Sequence, residues 1–432
     1  MTFNSLFTLS EKQEIPLEAV LKSDLLRLGV SFSQEALKAS QDQKPKSYFI
    51  FSFDRVSQKE LSEMEKKGSP EEIALVGGPY HLKRTIVSVR LNPDSPYRIE
   101  ASPPPLPLSL VRRGGRGERS EKICDITLPI SPPYYKTPLK SGKPVADIAP
   151  TIEWGYLIYL TAFRLCQYWG EKEECQFCDI NNNYRQQKGE RSYTSIKEPD
   201  EVVEALAIIQ KMDTSGISQA YTVSGGAITK DLYGLREAEF YARYAEAIEK
   251  NFPGRWIGKA NVQALPKEEV KILKKAGYQI YHPNYEVWDK ELFKRLCPGK
   301  EKLIGQEEWI HRILSAAEIF GASHVIPNFV AGIEMSKPYG FQTVDEAVDS
   351  TAEGLDFFMS KGILPRFTVW CVEPNTILSQ TNSEPPPLEY FVKLLRVYRE
   401  TFKRHKLPYP KGYGEPGVGK AVFSVSPFMD VI

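Results

Sequence analysis

The rhythm of hydrophobic and polar positions changes near residue 150. Beyond it, apolar runs of strand length alternate with longer stretches of helical period. Strands are expected at 155–165, 218–224, 255–263, 279–286, 323–334 and 364–373. Helices are expected between them at 200–212, 236–251, 267–276, 306–320 and 344–361, with a further one at 388–405. Six βα units in this order predict parallel strands joined by right-handed crossovers. The expected class is α/β, with a six-stranded partial TIM-type (β/α)6 barrel over 151–405. An N-terminal α+β accessory domain is expected over 1–150 and a C-terminal tail over 406–432. The same element order also fits a doubly wound sheet.

Before residue 150 the pattern is irregular. Residues 17–28 predict an amphipathic helix, and 48–53 and 85–90 predict strands. The proline run 103–107 breaks regular structure. The Arg/Gly tract 112–119 superficially resembles an RNA-binding repeat, but a single copy reads as a flexible loop, a lid, or a docking site for an acidic electron carrier. Near the other end, Gly414 to Lys420 follows the phosphate-loop pattern until Ala421, where Ser or Thr would bind magnesium. Too little chain follows it for a nucleotide domain. The tail is expected to fold back as a strand or to cover the barrel mouth.

Side chains alternate along a strand, so polar residues at every second position mark a polar face. Lys259, Asn261 and Gln263 do so on the third expected strand, and His282, Asn284 and Glu286 on the fourth. Asn328 shares a face with Glu334 on the fifth, and Cys371 with Glu373 on the sixth. Strands covered by helices are apolar on the covered side. Repeated polar faces therefore predict a ligand-lined interior, with chemistry at the C-terminal strand ends. Glu334 and Cys371 are the catalytic candidates on these faces.

Composition narrows the classes. The chain has 432 residues, 41% of them hydrophobic, enough for a large core. A net charge of +1 gives no reason to expect nucleic acid or an anionic membrane as partner. Glu11, Glu14 and Glu18 interrupt the start, so no leader peptide is expected, and the apolar run before Cys166 is too short to span a bilayer. Six cysteines suit a reducing compartment, and a cytoplasmic location is expected.

Three of those cysteines, Cys166, Cys175 and Cys178, fall within thirteen residues directly after the first expected strand. Three thiolates on one loop can hold three irons of a cubane cluster and leave a fourth open. A structural zinc site needs four ligands, and no histidine lies in this loop. Three unligated cysteines are the plainest alternative. The other three, Cys124, Cys297 and Cys371, show no shared spacing and are not expected to hold a second cluster.

The loop, ending Cys175-Gln-Phe177-Cys178 after the first strand of a β/α series, resembles the radical S-adenosylmethionine (radical SAM) superfamily. The family's commonest spacing puts three residues between the first two cysteines; here there are eight, a C-x8-C-x2-C variant. The resemblance implies a [4Fe–4S] cluster on Cys166, Cys175 and Cys178, with S-adenosyl-L-methionine chelating the open iron. It places Phe177 near the adenine and the Gly225–Gly226 backbone at the methionine amino group, although Ala227 stands where the family commonly has Glu. The stretch from Asn284 to Glu334 resembles the biotin synthase-related branch. That likeness implies Asn284 and Glu286 near the ribose or methionine, and Gly332 and Ile333 near the adenine. The implied partners are a ferredoxin or flavodoxin electron donor and an unidentified small-molecule or peptide substrate. A non-catalytic iron–sulfur or zinc protein that binds a partner is the other reading, and a barrel enzyme with a purely structural cysteine loop is a third.

Overall fold

The alternation after residue 150 becomes one sheet. The computed structural model describes residues 3–40, 43–47, 52–101, 108–113, 120–188 and 194–432. Its first six strands are β1 (Ser31–Phe32), β2 (Glu72–Gly77), β3 (Leu82–Ser88), β4 (Tyr97–Ala101), β5 (Leu108–Arg112) and β6 (Glu121–Thr127). Then come β7 (Thr151–Ile152), β8 (Leu157–Phe163), β9 (Ala220–Gly225), β10 (Ile257–Val262), β11 (Ile280–Glu286), β12 (Asn328–Ala331) and β13 (Arg366–Val369). The later sheet runs β13-β12-β11-β10-β9-β8-β7. β8 to β13 are parallel, each beside its successor, and β7 adds a two-residue antiparallel edge. The sheet thus has seven strands rather than six. A doubly wound sheet reverses its strand order at a switch point. This one never reverses, which removes that alternative.

The crossover helices follow their sequence signals closely. In Lys267–Ala276, Glu268 and Glu269 sit in the first turn and Lys274 and Lys275 in the last, complementing the helix dipole. Val270, Leu273 and Ala276 are buried on one stripe, and Gly277 ends the helix with φ +113°. The fifth and sixth strands are shorter than expected. Gly332, at φ +106°, turns the chain out of β12 into a 3-10 turn, Ile333–Met335. Glu334 therefore lies beyond the strand and shares no face with Asn328. Pro365 and Pro374 flank the sixth strand, so Cys371 and Glu373 fall in the turn after β13. Three short helices arise where no apolar rhythm announced them, Ile180–Gln187, Lys290–Leu296 and Pro298–Leu303.

The earlier strands form a second sheet, β1-β4-β5-β6-β2-β3, antiparallel except for β1 on β4. The expected helix at 17–28 is present as Leu17–Leu28, and the strand expected at 85–90 lies largely within β3. Residues 48–51 of the other expected strand, the proline run 103–107 and residues 114–119 of the Arg/Gly tract lie outside the described residues. One continuous hydrophobic core runs through both sheets. The tail forms no strand, contrary to one expectation: its glycines at 412, 414, 417 and 419 all take positive φ, which favours turns. It ends in the short helix Phe428–Val431. On the way it bridges both sheets, since Ser88 N–H donates to Ser424 O and Val369 N–H to Val425 O.

Candidate functional site

All six parallel strands give a side chain to one cavity: Tyr159, Thr222, Asn261, Asn284, Asn328 and Thr368. A flat sheet cannot wrap six strands round one space, so the sheet curls and this face is concave.

The cysteine loop leaves the C-terminal end of β8. Cys166, Cys175 and Cys178 all line the cavity and are half-buried. The eight-residue spacer is a built element. It opens with a 3-10 turn, Gln167–Glu171, closed by Lys172 at φ +58°. Gln167 accepts from the N–H groups of Thr229 (2.8 Å) and Lys230 (3.0 Å), and the Tyr168 hydroxyl donates to Gln263 Oε1 at 2.6 Å. Gln176 N–H donates to Leu296 O at 2.8 Å, and Gly299 N–H to Glu173 O at 3.1 Å. Cys166 is fixed by its N–H to Asn181 Oδ1 at 2.8 Å. Two glycines let the loop seat. A Cβ on Gly226 would stand 1.8 Å from Leu165 O, and one on Gly299 2.4 Å from the Tyr168 ring.

The Cys166 and Cys178 thiols are held uncharged by their surroundings. Burial pushes Cys166 up to about 12, with the Cys175 thiol adding to it. Burial, then Cys175 and Cys166, raise Cys178. Ionising them therefore requires a bound cationic centre, and ligation would release protons. The donor chemistry suits iron held by sulfur. Among the described residues, no three His, Cys, Asp or Glu side chains converge to hold a single ion.

Beside the loop, next to Gly299, lies a buried ion pair, Glu286 with Lys300. Burial alone would lower the Lys300 pKa, but the Glu286 carboxylate beside it raises it. Glu286 takes a left-handed φ of +81° just after a register shift between β11 and β12. Such bulges re-aim side chains at functional sites. Glu237 closes the wall, accepting from Ile228 N–H (2.7 Å) and from the Gln263 side chain (2.6 Å) and N–H (3.0 Å).

Phe177, Gly225, Gly226, Asn284, Glu286 and Cys371 all line this cavity. Gly332, Ile333 and Glu334 do not: the Glu334 carboxylate is buried and accepts from the Thr351 and Tyr390 hydroxyls and from Gly332 N–H at 2.7 Å. Cys371 donates to Phe53 O at 3.1 Å. Cys124 is buried on β6 in the other sheet. Cys297 links the two short helices, with its thiol against Cys175. Lys300, Glu237 and the Tyr168–Gln263 bond carried no assigned role in the sequence reading. Lys300 follows a Pro-Gly pair with no periodic pattern around it, and its partner is fourteen residues away.

No family model and no curated protein matches the chain. Some solved structures resemble it distantly. A methylornithine synthase (PylB) is 13% identical over 57% of this chain and 62% of its own, with a TM-score of 0.41. HydG, a maturase of the [FeFe]-hydrogenase, is 16% identical over 58% of this chain and 51% of its own, at 0.39. A radical SAM methyltransferase from Sphaerobacter thermophilus is 11% identical over 82% of each chain, at 0.37. The chain thus matches less than two thirds of the first two proteins. Likeness at this level assigns neither activity nor ligand.

Proposed function

We propose that this chain is a radical SAM enzyme, with Cys166, Cys175 and Cys178 as the ligands of a [4Fe–4S] cluster. One observation carries the reading. Three thiols from a single loop, the Gly225–Gly226 backbone and the Glu286–Lys300 pair all face one cavity at the C-terminal ends of six parallel strands. That is where barrels of this kind place chemistry.

The chemistry such a cluster supplies is one-electron reductive cleavage of S-adenosylmethionine to methionine and a 5′-deoxyadenosyl radical that abstracts hydrogen from the substrate. The chain's own residues do the rest. Asn181, Gln167 and Gly299 hold the cysteine loop against the barrel end. Glu286 and Lys300 offer one charge of each sign for the amino and carboxylate groups of the methionine moiety. Phe177 supplies an aromatic wall beside the last cysteine. Cys371 lies in the wall as a candidate hydrogen donor to a product radical. A ferredoxin or flavodoxin is the proposed electron donor, and the segment before residue 150 is proposed as an accessory domain. Among the described residues no helix is long and apolar enough to cross a membrane.

The test is anaerobic reconstitution with iron and sulfide, then dithionite and S-adenosylmethionine. About four irons per chain and 5′-deoxyadenosine formation are expected. Iron without 5′-deoxyadenosine would favour the non-catalytic iron–sulfur protein. Zinc retention without iron would remove the proposal.

A further inference from the structure

The cavity has a second polar end, away from the cysteines. The Tyr413 ring marks its level: Lys259 Nζ lies 4.4 Å from the ring centre, the Arg366 guanidinium 5.6 Å, and His282 packs edge-on at 5.8 Å. Arg366 opens β13 and lines the cavity, as do His282, Glu153 and Phe423. Two cationic side chains line this cavity, Lys300 and Arg366. Lys300 is neutralised by Glu286. Arg366 makes no ion pair with a described residue. Its Nε is buried without a hydrogen-bond partner, and the guanidinium lies over the Tyr413 and Phe423 rings at 5.6 and 5.3 Å, contacts that orient it without neutralising it.

Charge at this end does not balance. Lys259, buried, donates to Gly412 O at 2.8 Å. His282 is kept neutral by burial, with Arg366 and Lys259 adding to the effect. Against Lys259 and Arg366 stands one carboxylate at this end of the cavity, Glu153, on a left-handed turn (φ +56°) whose backbone N–H is held from behind by Glu72. Glu72 itself has Lys44 at 3.8 Å. Burial first, then Glu72, raises Glu153, and burial lowers Lys259 to about 8, so these two offset one another and Arg366 is left as the unbalanced charge.

We propose that this end binds an anionic oxyacid group of the substrate, a carboxylate or a phosphate, with Arg366 as its ion-pair partner. A planar guanidinium held by stacking suits two-oxygen recognition. Trp370, at the other end of the same wall, lies four residue steps from Arg366, about 13 Å at strand rise. Val330, Val369 and Tyr159 line the cavity between. Asn261, Asn328 and Thr368 line it as well, so the site fits a molecule with an anionic end and a body of that reach that is apolar in part. It rests on the proposed function only in directing the other end toward the cysteines.

Trp169 and Trp370 line the same cavity and report its occupancy by fluorescence. The full, iron-free chain is titrated with octanoate, octyl phosphate and octan-1-ol. Saturable quenching by at least one anion is expected, about tenfold or more tighter than by the alcohol. Arg366→Gln should weaken anion binding by a similar factor and leave the alcohol unchanged, while Arg366→Lys keeps part of the preference. Circular dichroism checks that each variant folds; if Arg366→Gln does not, the wild-type anion-to-alcohol ratio and Arg366→Lys decide. Octanoate alone binding identifies a carboxylate, and octyl phosphate alone a phosphate. Anions binding no better than octan-1-ol, or equally to folded Arg366→Gln, would overturn the site. Failure to bind iron with anion binding intact removes the proposed function and leaves this one standing.

Discussion

Where the other three cysteines are buried, Cys166, Cys175 and Cys178 are half-buried. Each faces the cavity, and the loop backbone is tied down on both sides. Replacing any one by Ala should abolish the iron–sulfur absorbance and 5′-deoxyadenosine formation, whereas Cys124→Ala and Cys371→Ala should keep about four irons per chain. Absorbance spectra and iron analysis check both. Lys197 offers a sharper residue-scale test. It is buried with Nζ donating to Ile148 O at 2.8 Å, and burial, helped by Arg164, lowers its pKa to about 7. The unfolded side chain titrates near 10.4. Between these values the unfolded chain binds more protons, so stability rises with pH from about 7 to 10.4, and the cost of the charge is full below 7. Lys197→Met removes this titration. Wild-type stability relative to the variant should therefore climb across that window in denaturant unfolding, and a flat difference would contradict the burial argument.

At the scale of elements, the sequence was most legible where a period repeats. Lys267–Ala276 and Gln306–Phe320 fall where expected because apolar stripes, acidic first turns and a following glycine agree. β12 and β13 were overextended because hydrophobicity alone does not reveal a left-handed Gly332 or the stops at Pro365 and Pro374. Ile180–Gln187 was missed because five of its eight residues are Asn or Gln and contacts distant in sequence, Asn181 with Cys166, Asn182 with Asn375 and Asn183 with Gln58, give it its place. The candidate site divides likewise. The cysteines and the Gly225–Gly226 pair are local signals, while Glu286–Lys300 and Arg366–Tyr413 exist only through contacts distant in sequence. Gly226 shows how one element docks on another. Its position against Leu165 and Cys166 means that a side chain there displaces the cysteine loop itself. Gly226→Ala should cost about 1–3 kcal/mol and lower iron content together with S-adenosylmethionine binding. Full iron content in that variant would separate the two roles.

The whole molecule is joined through its beginning and its end. Lys22, in the helix Leu17–Leu28, pairs with Asp430 in the final helix at 2.8 Å, both side chains fully buried. Its ammonium also donates to Phe423 O, next to the residues that bridge the two sheets. Removing one member leaves an uncompensated buried charge, so Lys22→Met should lower stability by about 3–5 kcal/mol, and Lys22→Met with Asp430→Leu should recover much of it. Chemical unfolding of both variants checks this. Equal losses would place the effect in packing rather than charge.

The tail that bridges the sheets also decides the traffic through the barrel. Tyr413, Phe423 and Ser424 are at most 2% exposed and stand at the Arg366 end, while the three cysteines at the opposite end remain half-open. A passage stopped at one end fills first in, last out. Under the proposed function, a substrate resting on Arg366 would be loaded before S-adenosylmethionine spans the cysteine end and would leave only after the cleaved cofactor. Initial-rate kinetics should accordingly show compulsory order with substrate leading, and random order would mean that the tail swings aside during turnover.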